Sequence, residues 1–160
     1  MGPAEIRAAV RPGSEGRLIR TLRDFEEWVS EQALDELAEP FTYVIDTSED
    51  LWLDRGAVST SRALGAGGCL VRERSPSAVA ATAGAVSEVS NQSTGYCPDL
   101  GSWPAVADAL DRVGLGRPDG FTYEVVFRRC VGCGEINVVR EDDFVCVFCG
   151  GGLPASWNVA

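Results

Sequence analysis

Four cysteines carry the clearest chemistry in this chain. They read Cys130-Val-Gly-Cys133-Gly and Cys146-Val-Phe-Cys149-Gly, with twelve residues between Cys133 and Cys146. Two thiolates separated by two residues can bite one ion when the backbone turns tightly between them. Gly134 and Gly150 follow the second cysteine of each pair. Glycine tolerates the positive φ such a turn wants, and its amide can point at a sulfur. Two pairs supply four sulfur ligands to one tetrahedral ion, and this donor set selects zinc. Four thiolates also close the coordination shell. No position remains to activate water, so the expected role is structural.

The residues between the pairs fit that picture. Glu135-Ile-Asn-Val-Val-Arg140 has strand composition, Glu141-Asp-Asp143 makes a turn, and Phe144-Val145 leads into the second pair. Strand, knuckle, strand, turn, knuckle resembles a zinc ribbon over about residues 128–158. Ribbons of this kind bind DNA, RNA or protein, or simply hold a fold together. Arg128, Arg129 and Arg140 could meet phosphates, with Phe144 and Phe148 as stacking candidates. Against that stand Glu135 and the acidic turn in the same small unit.

Composition narrows the chemistry further. The 160 residues carry 24 acidic and 14 basic side chains, for a net charge of −10 and a pI near 4.4. Phosphate binding needs clustered basic residues, so this balance argues against nucleic acid. There is no histidine, and all the basic residues are arginine, a bias typical of a GC-rich genome. Without histidine there is no Ser-His-Asp or Cys-His pair and no imidazole ligand to zinc. Without lysine there is no Walker lysine and no Schiff base. No apolar stretch is long enough for a signal peptide or a membrane span. Cys-x-x-Cys pairs without a secretion signal point to a reducing cytoplasm.

The elements that must position these residues are legible in outline. Residues 1–16 mix Pro and Gly with charges and read as a flexible leader. A helix is expected from about Thr21 to Leu37, with Thr21 as N-cap and Leu22, Phe25, Val29, Ala33 and Leu37 along one face. Phe41–Asp46 and Leu51–Leu53 read as a hairpin, Gly65–Gly68 as a turn, and Cys69–Glu73 and Ala85–Asn91 as strands. A second helix is expected near 102–114, with Ser102 as N-cap, Pro104 in its first turn and Gly114 as its left-handed end. Phe121–Phe127 is a strand that runs straight into Cys130.

The middle of the chain offers weaker chemistry. Ser59-Thr-Ser61 resembles the Ser-Thr-Ser signature of Arg-Ser-Glu ADP-ribosyltransferases, which place it on a strand lining NAD, although no Glu-x-Glu follows downstream. Thr60-Ser-Arg-Ala63 before Gly67-Gly68, and Ser93-Thr-Gly-Tyr-Cys-Pro98 before the second helix, also resemble stretches of another module. This is the β-rich module of plant IQ-motif calmodulin-binding proteins and bacterial toxin-like proteins. That module's two histidines are absent here. Any pocket would draw on Ser59, Ser61, Asn91, Gln92 and Tyr96. Cys69 and Cys97, without metal spacing or a base, are expected to be buried thiols.

The expected fold is α+β: an N-terminal helix, an antiparallel sheet with one further helix, and a C-terminal zinc ribbon fused to the sheet. The expected division is a core over 17–128 with the ribbon over 129–160 packed on it. The expected function is non-catalytic binding of a protein partner, with one structural zinc ion. The alternatives are an enzyme with a pocket near Ser59–Ser61 and Asn91–Tyr96, such as an NAD-dependent transferase, and a nucleic-acid-binding ribbon.

Overall fold

The computed structural model describes residues 16–33, 40–54, 63–72, 84–93 and 97–159, with 63–72 described by their backbone. The fold is mixed α+β. Its larger sheet holds β1 (Arg17–Ile19), β2 (Phe41–Asp46), β3 (Leu51–Asp54), β4 (Ala63–Arg72) and β5 (Val86–Ser90) in the order β1-β3-β2-β4-β5, with every pair antiparallel. Alternation sets its faces. Phe41, Tyr43 and Ile45 of β2 and Leu51 and Leu53 of β3 join one core, together with Ile19, Val86 and Val89. Helices α1 (Leu22–Ser30) and α2 (Trp103–Val113) cover that core with Phe25, Trp28, Val106, Ala109, Leu110 and Val113.

Local chemistry sets the helix ends. Thr21 caps α1: its hydroxyl accepts the Asp24 N–H at 3.2 Å, and the Asp24 carboxylate accepts the Thr21 N–H at 2.9 Å. Together with the Arg20 N–H, these donors hold the Asp24 carboxyl below its ordinary pKa. Thr21→Ala is expected to cost about 1 kcal/mol, measured by urea denaturation at neutral pH. The contribution of Asp24 is fully present above the pKa it has in the unfolded chain. It is lost as pH falls through its lower folded value, in wild type and in Thr21→Ala alike, since both keep the Asp24 carboxylate and its backbone donors. Helix α1 ends at Ser30 with Glu31 as its C-cap, so the helix expected to run to Leu37 is shorter: 31–33 are not helical, and 34–37 lie outside the described residues.

Three further expectations are corrected. Ser102 does not cap α2: it is helical itself, within a 3-10 turn over Leu100–Ser102, and its hydroxyl donates to the Asp99 carbonyl at 2.7 Å. Gly65–Gly68 is not a turn. It lies inside β4, where Ala66, Gly67 and Gly68 pair with Ile45, Val44 and Tyr43 of β2, so ladder bonds offset the weak strand preference of glycine, while β5 pairs only with Cys69 to Arg72. The strand expected over 121–127 is split. Only its end belongs to β6 (Val126–Arg129), which pairs with β7 (Ile136–Val139) in a separate two-stranded sheet. Gly114, by contrast, ends α2 in the left-handed region at φ 87°, as glycine allows.

The segment before β6 links the two sheets. Thr122 N–H donates to Val89 O at 2.8 Å, and Tyr123 forms a parallel bridge with Ser90. Asn91 then carries the connection onward. Cys97, Val125, Phe127 and Val159 form a small buried seam, with Trp157 packed on it. Among the described residues, no helix is long and apolar enough to cross a membrane.

Candidate metal centre

The small sheet presents two turns to one another. β6 delivers Cys130, and the chain folds back so that Gly134 N–H donates to Cys130 O at 2.8 Å and Cys130 N–H to Glu135 O at 2.9 Å. The second knuckle repeats this sixteen residues later. Gly150 N–H donates to Cys146 O at 2.8 Å, and Cys146 N–H to Gly151 O at 2.8 Å. Gly134 and Gly150 take φ 77° and 72°, which side chains rarely adopt. Gly132 and Gly151 matter through space. A Cβ on Gly151 would lie 3.4 Å from Cys149 Sγ, and one on Gly132 would lie 3.7 Å from Cys130 Sγ.

The four sulfurs converge. All lie within 4.8 Å of one another, with Cys130–Cys149 at 3.5 Å and Cys133–Cys146 at 3.6 Å. A tetrahedral ion with metal–sulfur bonds of about 2.3 Å needs sulfur–sulfur edges of about 3.8 Å. A disulfide needs about 2.05 Å. The cluster therefore fits a tetrahedral metal ion, is compatible with zinc, and does not fit two disulfides. Cys130 and Cys146 are buried beside Val139 and Leu153, while Cys133 and Cys149 are exposed.

The backbone supplies donors to the sulfurs in the same repeated pattern. The N–H groups of Cys133 and Gly132 aim at Cys130 and hold its thiol below the usual range. Burial alone would raise Cys146. The N–H groups of Cys149 and Phe148, the Cys133 thiol and the Asn137 amide outweigh it and bring Cys146 down to about 6. Glu135 N–H favours the Cys133 thiolate, but burial and donation to Cys146 and Cys130 prevail and push that thiol up to about 12. Cys149 is raised likewise: donation to Cys130 outweighs the Gly151 N–H. As bare thiols the four cannot all ionise, because each added thiolate repels the rest. A divalent cation removes that repulsion and takes all four as thiolates.

The knuckle tips are exposed and apolar. Val131 is 82% exposed, Val147 79% and Phe148 63%. Arg128, a phosphate candidate by sequence, is instead buried. Its guanidinium donates to the carbonyls of Phe127, Pro154 and Ala155 and lies 5.9 Å from the Phe144 ring. It thereby anchors the returning C-terminal segment, with Phe144 half-buried beneath it. Asn158 extends the anchorage by pairing with the N–H and carbonyl of Arg129, both at 2.8 Å.

The candidate pocket is not brought together among the described residues. Ser59, Ser61 and Tyr96 lie outside them. Gln92 is at the surface, while Asn91 is fully buried. The Asn91 amide donates to Pro98 O at 3.1 Å and Val125 O at 2.7 Å, and its Oδ1 accepts Val125 N–H at 2.7 Å. Cys97 is buried, and burial raises its thiol above the ordinary value. A shallow cleft of about 190 Å³ between β3 and α2 holds Arg20, Asp50, Glu49 and Arg112. These are already matched, Arg20–Asp50 at 2.8 Å and Arg112–Glu49 at 3.3 Å.

Asn137 is the residue that sequence reasoning missed. It sits 3% exposed in β7, with Nδ2 3.5 Å from Cys146 Sγ. The available signal was a polar side chain in step with Val139 on the inward face of a strand. Compared with known proteins, the chain matches no family model, no curated protein and no solved structure.

Proposed function

We propose that this chain is a non-catalytic protein-binding protein whose docking surface is held in shape by one structural zinc ion on Cys130, Cys133, Cys146 and Cys149. The observation that carries this reading is the exposure of Val131, Val147 and Phe148 at the tips of the two knuckles. Apolar side chains are costly in water, and a metal-locked turn holds them there in fixed positions. Four thiolates around the ion leave no site for a substrate. The partner chemistry follows from charge. Residues 130–153 hold Glu135, Glu141, Asp142 and Asp143 against Arg140. Four thiolates on a divalent ion add further negative charge. A partner that offers apolar pockets rimmed by Lys or Arg is the complement.

The test is a triple substitution, Val131→Ser with Val147→Ser and Phe148→Ser, compared with wild type in a pull-down from native lysate. Retention of the specific partner is expected to fall at least about 10-fold. Zinc is expected to stay at one per chain, and the wild-type interaction to weaken as salt rises. Equal capture by the triple variant would sink the reading.

A further inference from the structure

The two knuckles have the same backbone, but only one has an amide side chain bonded to its sulfur. In β7 the side chains alternate: Ile136 and Val138 face outward, Asn137 and Val139 inward. The Asn137 amide is buried, and both of its ends are engaged. Nδ2 donates to Glu135 O at 3.0 Å and to Cys146 Sγ at 3.5 Å, while Oδ1 accepts Val147 N–H at 3.0 Å. One side chain thus grips a sulfur of the second knuckle and the backbone of its tip. The sixteen-residue offset that carries Cys130 onto Cys146 carries Asn137 onto Leu153, which is buried and apolar. Leucine has no amide to offer the first knuckle. Side chains reach that knuckle through its backbone: Asn137 Nδ2 meets Glu135 O, which also accepts Cys130 N–H, and the exposed Arg129 guanidinium meets Gly134 O at 3.3 Å, but neither touches the sulfur of Cys130 or Cys133. Solvent access does not separate the halves, since each has one buried and one exposed sulfur.

We propose that Asn137 is a positioning residue that makes the second knuckle the anchored half of the centre, so that metal enters and leaves through Cys130 and Cys133. The inference rests on reading the four cysteines as a metal site. Its physical basis is the difference in what must break. Releasing Cys146 breaks an amide–thiolate bond and frees the tip amide of Val147, and a hydrogen bond to a charged group is among the stronger ones. Releasing Cys130 and Cys133 breaks no side-chain bond to sulfur and can leave the backbone contacts of Asn137 and Arg129 in place. An incoming chelator therefore displaces the first pair while the second still holds the ion.

The sequence provides its own assay. With no lysine in the chain, trypsin cuts after Arg129 and Arg140, so Cys130 and Cys133 leave on one peptide and Cys146 and Cys149 on another. Zinc-loaded protein is challenged with excess EDTA and sampled with brief pulses of N-ethylmaleimide. The first peptide is expected to be labelled about 10-fold faster than the second, at the low end of what an outer-shell partner contributes. In Asn137→Ala that ratio collapses towards one, and zinc affinity falls about 10- to 100-fold. Asn137→Asp keeps the shape and the acceptor for Val147 but loses the donor to sulfur. In its cobalt-substituted form the sulfur-to-cobalt band is expected at lower energy, which a purely structural role would not produce.

Equal labelling of both wild-type peptides, or earlier labelling of the second, overturns the proposal while leaving the metal site intact. So does a ratio unchanged in both variants. A chain that takes up neither zinc nor cobalt overturns the metal reading and this proposal with it.

Discussion

Cys146→Ser protein is expected to purify with almost no zinc and with its C-terminal unit unfolded, whereas its larger sheet stays formed. Cys146 is the sulfur with the most invested around it: buried, and approached by Cys149 N–H, Phe148 N–H and the Asn137 amide. Serine keeps the size but supplies a hydroxyl that does not ionise near neutral pH, so the ion loses a ligand and the donors lose their anion. Zinc affinity should fall by more than the 100-fold or so that losing an outer-shell partner costs. The apolar material of this unit is slight: Val139 and Leu153 buried, with Val126 and Phe144 partly so. That is too little to hold a fold without the ion. Metal analysis and amide exchange check the result. Exchange in β7 should become fast while that of Tyr43 and Leu53, in the main core, stays slow. Retained zinc, or unchanged protection in β7, would contradict a structural metal.

Asn91→Ala is expected to destabilise the protein by about 3–5 kcal/mol without touching any metal ligand. The substitution strips partners from three backbone groups: the carbonyls of Pro98 and Val125 and the Val125 N–H. Each unpaired buried group costs about 1–3 kcal/mol, with some recovery where water can enter. For a chain of this length the melting temperature should drop by roughly 10 °C. A calorimetric scan checks it. The same scan addresses the pocket in which sequence placed Asn91. A binding or catalytic residue exposed in a pocket would leave the melting temperature almost unchanged when truncated.

These two residues show where sequence is legible and where it is not. The cysteine pairs are legible because their chemistry is local: each bite spans four residues, and only the pairing of the bites is long-range. The Thr21–Asp24 cap is legible for the same reason. Asn91 is misread because its partner Val125 lies 34 residues away, and nothing near Asn91 announces it. Gly65–Gly68 is misread in the opposite sense. Glycine favours turns locally, but this stretch is paired along β2, which comes from residues 41–46, and β5, from 86–90, takes up the rest of β4. Their ladder decides the outcome. Likewise Phe121–Phe127 has one composition but two partners, β5 for its start and β7 for its end. Alternation alone cannot divide it. The meeting of both knuckles on one point is therefore foreseeable, whereas the amide between them shows in the sequence only as a polar residue in step with Val139.

The double hydrogen bond between Arg129 and Asn158 has a kinetic consequence. It fastens the chain together across a separation of 29 residues, just outside the metal-binding stretch. While that junction holds, the four sulfurs lie inside a loop whose ends are joined. Loop-closure entropy grows only as about (3/2)RT ln n, so the first closure carries most of the cost and the inner ones add little. Capture of an ion then becomes a search within a tethered loop, not along a free chain. Closing loops of this size takes far less than a millisecond, so arrival of the ion, not ordering of the backbone, sets the pace of reassembly.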